Sequence, residues 1–223
     1  MEMFRPMSVS TLEPAAFRRG PGGRPTRQEA ERRHSVLLAT AARLFVDHGI
    51  DAVSIDQIAK QAAVAKRFIY ARYRDKSELF VATVEHLLAG RLELLHAFQP
   101  THRNVEAGLI AFGRTLLDIA LDPEAVAVLR LFIATAPRFP ELTAAFIARN
   151  RHRSMDEIAR VLTYYAEHGA IHMSSPRLVS EQFFIAVIGV PQRAALLGLR
   201  DPPDEEQRRL RAAVRLFLNG CRA

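Results

Sequence analysis

The sequence predicts an all-α chain: an N-terminal three-helix helix-turn-helix unit, then a larger helical bundle, about nine helices in total. Three observations predict it. Apolar residues recur at three- and four-residue spacing from Thr26 almost to the C-terminus, with Gly and Pro at the breaks and no alternating strand pattern. Two short helical segments flank a tight Ala62–Val64 break. Cations crowd the second of these segments and its flanks: residues 59–80 carry six (Lys60, Lys66, Arg67, Arg72, Arg74, Lys76) against Asp75 and Glu78, so +6 − 2 = +4 of a whole-chain +7.

Composition sets the outer bounds. The chain has 223 residues, 49% of them hydrophobic, enough for a packed core. A pI near 10.3 suits an anionic partner. A single cysteine, Cys221, excludes an internal disulfide and fits a reducing cytosol. No apolar run reaches the ~20 residues of a spanning helix, and the first residues lack an export h-region. The expectation is a cytoplasmic protein without a membrane partner.

Residues 1–24, rich in Pro, Gly and Arg, read as a flexible basic arm. Residues 25–74 form the helix-turn-helix unit and residues 75–223 the C-terminal domain. The first helix carries Val36, Leu37, Ala41, Leu44 and Phe45 on one stripe and closes at Gly49. Ser54 caps a short second helix whose Ile55, Ile58 and Ala59 face inward. The third runs Ala65–Tyr73, with Ile69 and the turn residue Val64 packed inside. Asp75 and Glu78 then start a long fourth helix. Beyond it, helices are expected over 101–120, from the Asp122–Pro123 cap to Thr135, from Glu141 to the Gly169 stop, after Ser175–Pro176, and over the final EQRRLRAAVRLFLNG.

The third helix is the one that would enter a major groove. Its outward Lys66, Arg67, Tyr70 and Arg72 can reach phosphates or base edges, with Arg67 suited to guanine and Phe68 to a thymine methyl. Lys76, at the start of the fourth helix, suits a phosphate. Arg24, with Arg18 and Arg19, could enter an adjacent minor groove. Tyr73 and Phe80 read as core.

Residues 52–79, AVSIDQIAKQAAVAKRFIYARYRDKSEL, resemble the TetR-type consensus TSVRDIA-x-x-AGVSKGTLYHYFPSKEAL, with Ile55, Ile58, Ala59, Val64, Lys66, Ile69, Tyr70, Asp75, Lys76 and Leu79 in place. LRLFIATAPRFPELTAAFIARNR is similar to the C-terminal domain of the AefR-like branch. The resemblance implies a homodimeric, usually repressing, transcription factor whose C-terminal helices bind a small molecule. It also implies that ligand shifts the fourth helix and respaces the recognition helices. Departures matter: Ala63 replaces the common turn glycine, tolerable if its φ stays negative; Ala65 replaces a capping Ser or Thr; Arg67 and Phe68 replace small residues.

A largely apolar ligand would sit between bundle helices, with Phe112, Leu116, Phe146 and Phe183 as lining and Tyr164 or Gln182 as the polar contact. Phe183, Val187, Leu210, Val214, Phe217 and Leu218 form the stripe expected to dimerise through the last two helices. No enzyme is expected: the serines lack a nucleophile elbow, GPGG at 20–23 precedes no βαβ unit, and His168 and His172 have no HExxH or Cys pair beside them. No metal or cofactor is expected either. The alternative is a basic helical protein that binds nucleic acid or another anionic partner without reading sequence.

Overall fold

A computed structural model describes residues 27–101 and 103–221. The arm 1–24 and its Arg18, Arg19 and Arg24 lie outside the described residues. Nine α-helices and one 3-10 turn make up the described chain: α1 Arg27–Ala52, α2 Ile55–Gln61, α3 Lys66–Tyr70, α4 Lys76–Ala97, α5 Val105–Ala120, α6 Pro123–Thr135, the turn Ala136–Arg138, α7 Pro140–Glu167, α8 Pro176–Leu196 and α9 Pro203–Cys221. No strand occurs among the described residues.

Local chemistry sets most boundaries. In α1, Leu37, Leu38, Ala41, Ala42, Leu44 and Phe45 are buried, while Val36, expected inside, is 41% exposed. Leu37, Ala41, Leu44 and Phe45 lie inside as expected, and Leu38 takes the inner place expected of Val36. Gly49 leaves the helix at φ 79°, a region open to glycine, which turns Ile50 and Val53 back into the core. Ser54 Oγ accepts from the Gln57 amide at 3.1 Å and Gln57 Oε1 accepts from the Ser54 amide at 2.8 Å, a reciprocal cap that starts α2.

The turn holds a correction. Ala63 takes φ +53°, not the negative φ that would have made alanine harmless there. A left-handed alanine costs roughly 1 kcal/mol relative to glycine, so this turn is held against local preference by its neighbours. Two backbone bonds do so: Ala63 N–H to Lys60 O at 3.3 Å and Val64 N–H to Ala59 O at 3.0 Å. The helix after it is shorter than Ala65–Tyr73. Ala65 supplies no side-chain cap, and regular helix ends at Tyr70.

Asp75 Oδ1 accepts from the Glu78 amide at 2.9 Å, and Glu78 Oε2 accepts from the Arg74 amide at 2.7 Å, so α4 begins with two amides satisfied. At its other end Arg160, from α7, donates to the carbonyls of Leu95, His96 and Phe98 at 3.1, 3.2 and 3.0 Å. α5 begins at Val105 rather than Thr101, because Asn104 Oδ1 accepts from the Ala107 amide at 2.9 Å. Asp122 caps α6 ahead of Pro123. Gly169 and Gly198, at φ +69° and +81°, follow α7 and α8. α8 runs through Pro191, and α9 starts at Pro203, ahead of the expected EQRRL.

Two hydrophobic clusters result. The first joins α1–α3 to the N-terminal half of α4 and to Val128, Phe132 and Phe146 of α6 and α7. Phe80 links them, edge-on to Phe45 at 5.5 Å and stacked toward Phe132 at 6.4 Å. The second joins the far end of α4 to α5, α7, α8 and α9. Phe183, Val187, Leu210, Val214, Phe217 and Leu218 all lie inside it. The stripe expected to meet a second copy therefore packs α8 and α9 against α5 within one chain. The outer surfaces of these helices carry other apolar residues, among them Leu178, Ile185 (63% exposed), Leu197 and Leu216 (74%).

Candidate nucleic-acid interface and interior cavity

The recognition surface is built from Ile69 outward. Ile69 is fully buried, Val64 and Phe68 lean on the same cluster, and Lys66, Arg67, Tyr70 and Arg72 face solvent. Tyr70 is 56% exposed. Phe68, expected to meet a thymine methyl, is half-buried. The Arg72 guanidinium lies 3.8 Å from its ring centroid and donates to its carbonyl at 3.1 Å. Arg72 thus shields the ring while keeping its charge on the surface. Lys66 is ion-paired with Asp56 of α2 across the turn.

Lys76 is engaged as well. Its Nζ donates to the carbonyls of Asp51 and Val53 at 3.2 and 2.9 Å, tying α4 to the end of α1. An ammonium has three donors, so one remains for a phosphate. Arg138, from the 3-10 turn, pairs with the Asp51 carboxylate on the same segment. The Glu78 amide, more than any other group, holds the Asp75 carboxyl below its usual range.

Beneath the motif, Tyr73 and His34 share a hydrogen bond between Oη and Nε2, with their rings stacked at 6.0 Å. Burial pushes the Tyr73 hydroxyl up and the His34 imidazole down; Arg72 and then His86 push His34 further down.

A cavity of about 170 Å³ opens between α4, α5, α6, α7 and α8. It lies at the seam of the two clusters: Val84, Val128, Phe132 and Phe146 come from the first, Leu95 and Leu116 from the second. Leu116 and Phe146 are expected lining residues that the fold brings there. Four others are corrected. Phe112 and Phe183 are spent on the second cluster, stacked at 6.1 Å. Tyr164 packs edge-on to Tyr165 at 5.5 Å, and Gln182 is exposed on α8. Among the described lining residues the polar ones are Arg91, Ser154 and Gln192, and Phe132 and Phe184 add ring surface. Sequence reasoning missed these because five helices from distant stretches meet there, and no local pattern marks which face of each looks inward.

Arg91 is fixed rather than free. It donates to Asp122 Oδ1 at 2.5 Å, Glu124 Oε2 at 3.2 Å and Leu87 O at 2.7 Å. Burial pushes the Asp122 carboxyl up, but the Ala125 amide and Arg91 outweigh it and leave it below the usual range. Among the described residues no group of three or more His, Cys, Asp or Glu could hold a metal ion. No described helix is long and apolar enough to cross a membrane.

An exposed basic helix seated on a buried isoleucine, braced by two others and joined to an all-α bundle with an interior cavity, defines a helix-turn-helix regulator with an appended helical domain. The family follows from two matches. Residues 37–83 match the bacterial regulatory proteins of the tetR family, and residues 107–220 match the AefR-like transcriptional repressor C-terminal domain. The chain belongs to the TetR family. It is a transcriptional regulator and not an enzyme.

Among curated relatives, the transcriptional activator FasR of Mycolicibacterium smegmatis is 31% identical over 110 residues, 47% of this chain and 50% of that protein. The regulator AcrR of Shigella flexneri is 42% identical over 57 residues, 26% of each. The chain thus spans about half the length of the first and a quarter of the second. A TetR-family structure from Mesorhizobium loti superposes with a TM-score of 0.77 at 24% identity, covering 89% of this chain and 100% of that one. The flavonoid-responsive regulator FrrA superposes with 0.68 at 26% identity, covering 86% and 98%.

Proposed function

We infer that this regulator acts in the cytoplasm as a homodimer, binds a palindromic operator as a repressor, and is released by a small, largely apolar molecule. The observation that carries the reading is the outward set on α3 and its C-terminal turn, Arg67 with Tyr70 and Arg72, on a helix whose opposite side is anchored by Ile69. Arg67 is assigned to base reading; Tyr70, Arg72 and the remaining Lys76 donor are assigned to phosphates. Exposed Leu178, Ile185 and Leu216 on α8 and α9 support self-association through those helices, by a surface distinct from the buried stripe. The cavity supports a ligand site in the bundle. The AefR-like match supports repression, whereas FasR is an activator.

Selection from random duplex DNA at near-physiological salt tests the reading. The expected product is a palindrome with half-sites about 34 Å apart. Arg67→Ala should relax preference at one position of each half-site, with a loss there of about 1–3 kcal/mol. Binding without enrichment that vanishes as salt rises would mark a non-specific basic protein instead. Placing the selected site between a promoter and a reporter then gives the sign of regulation.

A further inference from the structure

The cavity and the groove outside it share two residues. Arg91 and Ile119 line the interior void, and both also line a surface groove with Leu94, Thr115, Asp118 and Asp122. Arg91 and Ile119 therefore form the wall between groove and void, and any entry from this groove has to pass Arg91. Its guanidinium is latched to Asp122 and Glu124, and Asp118 stands on the same rim. Among the described residues at this mouth, Arg91 stands with the three carboxylates of Asp118, Asp122 and Glu124. Asp118 also has a longer contact, 3.8 Å, to Arg114.

Resting on the reading that this bundle holds the effector, we propose that the site admits uncharged, ring-sized, mostly apolar molecules past the Arg91–Asp122 latch and rejects carboxylates of the same shape. Size argues for one ring system. An apolar cavity of about 150 Å³ holds a benzene ring, and this one measures about 170 Å³. Lining chemistry argues for an apolar occupant: Phe132, Phe146 and Phe184 offer ring surface, and Ser154 and Gln192 can serve at most a small polar group. Charge argues against an anion. Among the described lining residues Arg91 is the one cation, and it is already matched by two carboxylates, so an incoming anion would meet a net negative rim and be buried unpaired.

The chain contains no Trp, so a bound indole can be followed by its own emission without a tryptophan background. Indole is the neutral probe and indole-3-carboxylate the anionic one, each titrated into the full chain. Indole should bind with blue-shifted emission, about tenfold or more tighter than its carboxylate. Ala120→Leu, which fills part of the void, should abolish the indole signal with helical content unchanged. Asp122→Asn with Glu124→Gln frees the Arg91 charge while Asn keeps the α6 cap. That pair should raise carboxylate affinity and narrow the ratio to about twofold or less.

Equal or tighter binding of the carboxylate by the unaltered chain would overturn the proposal. So would undiminished indole binding by Ala120→Leu, an unchanged ratio in the Asp122/Glu124 variant, or no indole binding by a chain that selects an operator normally. Indole binding by a chain that selects no DNA sequence would keep the cavity assignment and remove the regulator reading beneath it.

Discussion

The two ends of α4 are held by different kinds of neighbour. At the DNA-proximal end one fastening is local, Asp75 capping the first turn, and the other, Lys76, reaches back 25 and 23 residues to the Asp51 and Val53 carbonyls. At the distal end Arg160, more than sixty residues away on α7, gathers three terminal carbonyls and is itself paired with Glu157. Both ends use a cation on carbonyl oxygen. The distal clamp also sits where the helix dipole is negative, so charge and hydrogen bonding act together there. The comparison teaches that α4 is fixed to the reading unit by its own cap and a reach of about 25 residues, and to the bundle by a clamp from more than sixty residues away, with the cavity between the two.

Cutting either fastening tests this picture. Arg160→Met should have the largest effect, about 2 kcal/mol lost from unfolding stability, because three carbonyls and Glu157 lose their donor. Amide exchange should rise first at the end of α4. Equal exchange along the whole helix would show that the clamp is not local. Lys76→Met should cost about 1 kcal/mol, with the loosening confined to the α1–α2 junction and the start of α4. Measuring the salt slope of DNA binding in the same variant separates its duties: a slope reduced by about one marks a phosphate contact, whereas an unchanged slope leaves Lys76 as a fastening alone.

Ala63→Gly should go the other way and stabilise the chain, by at most about 1 kcal/mol, since glycine takes positive φ without strain. A loss of stability would mean the turn gains more from alanine's reduced unfolded-state freedom than it loses to strain. The smallest effect belongs to His34. Burial and Arg72 hold its folded pKa below the ordinary 6.5. As pH falls below 6.5 the unfolded chain takes the proton first, so stability drops until the lowered folded value is reached. Chemical denaturation from neutral to mildly acid pH should show that slope, and His34→Gln should flatten it. An unaltered slope would place the titration elsewhere.

The same division of range explains what could be read from the residues alone. Ser54 with Gln57, Asp75 with Glu78, and Asp122 before Pro123 are pairs within one turn of helix, and each starts an element where its spacing says it should. Ile69 beneath an exposed Arg67 and Tyr70 was legible for the same reason. Burial against distant partners was not. The Phe183–Val187 and Leu210–Val214–Phe217 stripe announces that one face is covered but not by what, and α5 covers it before a second copy can. Ala63 misled because the conformation of a turn is set by the two helices that flank it, and a residue's own preference yields when they pack. The partial burial of Phe68 was not legible because Arg72, one turn on, folds over its ring.

The void at the seam of the clusters has a volumetric consequence. Unfolding eliminates internal empty space, so hydrostatic pressure favours the unfolded chain in proportion to the void it can collapse. In this protein the described void lies between the cluster built on the helix-turn-helix unit and the cluster of the C-terminal bundle. A molecule seated there takes away the space that compression would recover. The occupied protein should then be the less compressible form, with its two halves joined through the occupant and no longer separated by a gap.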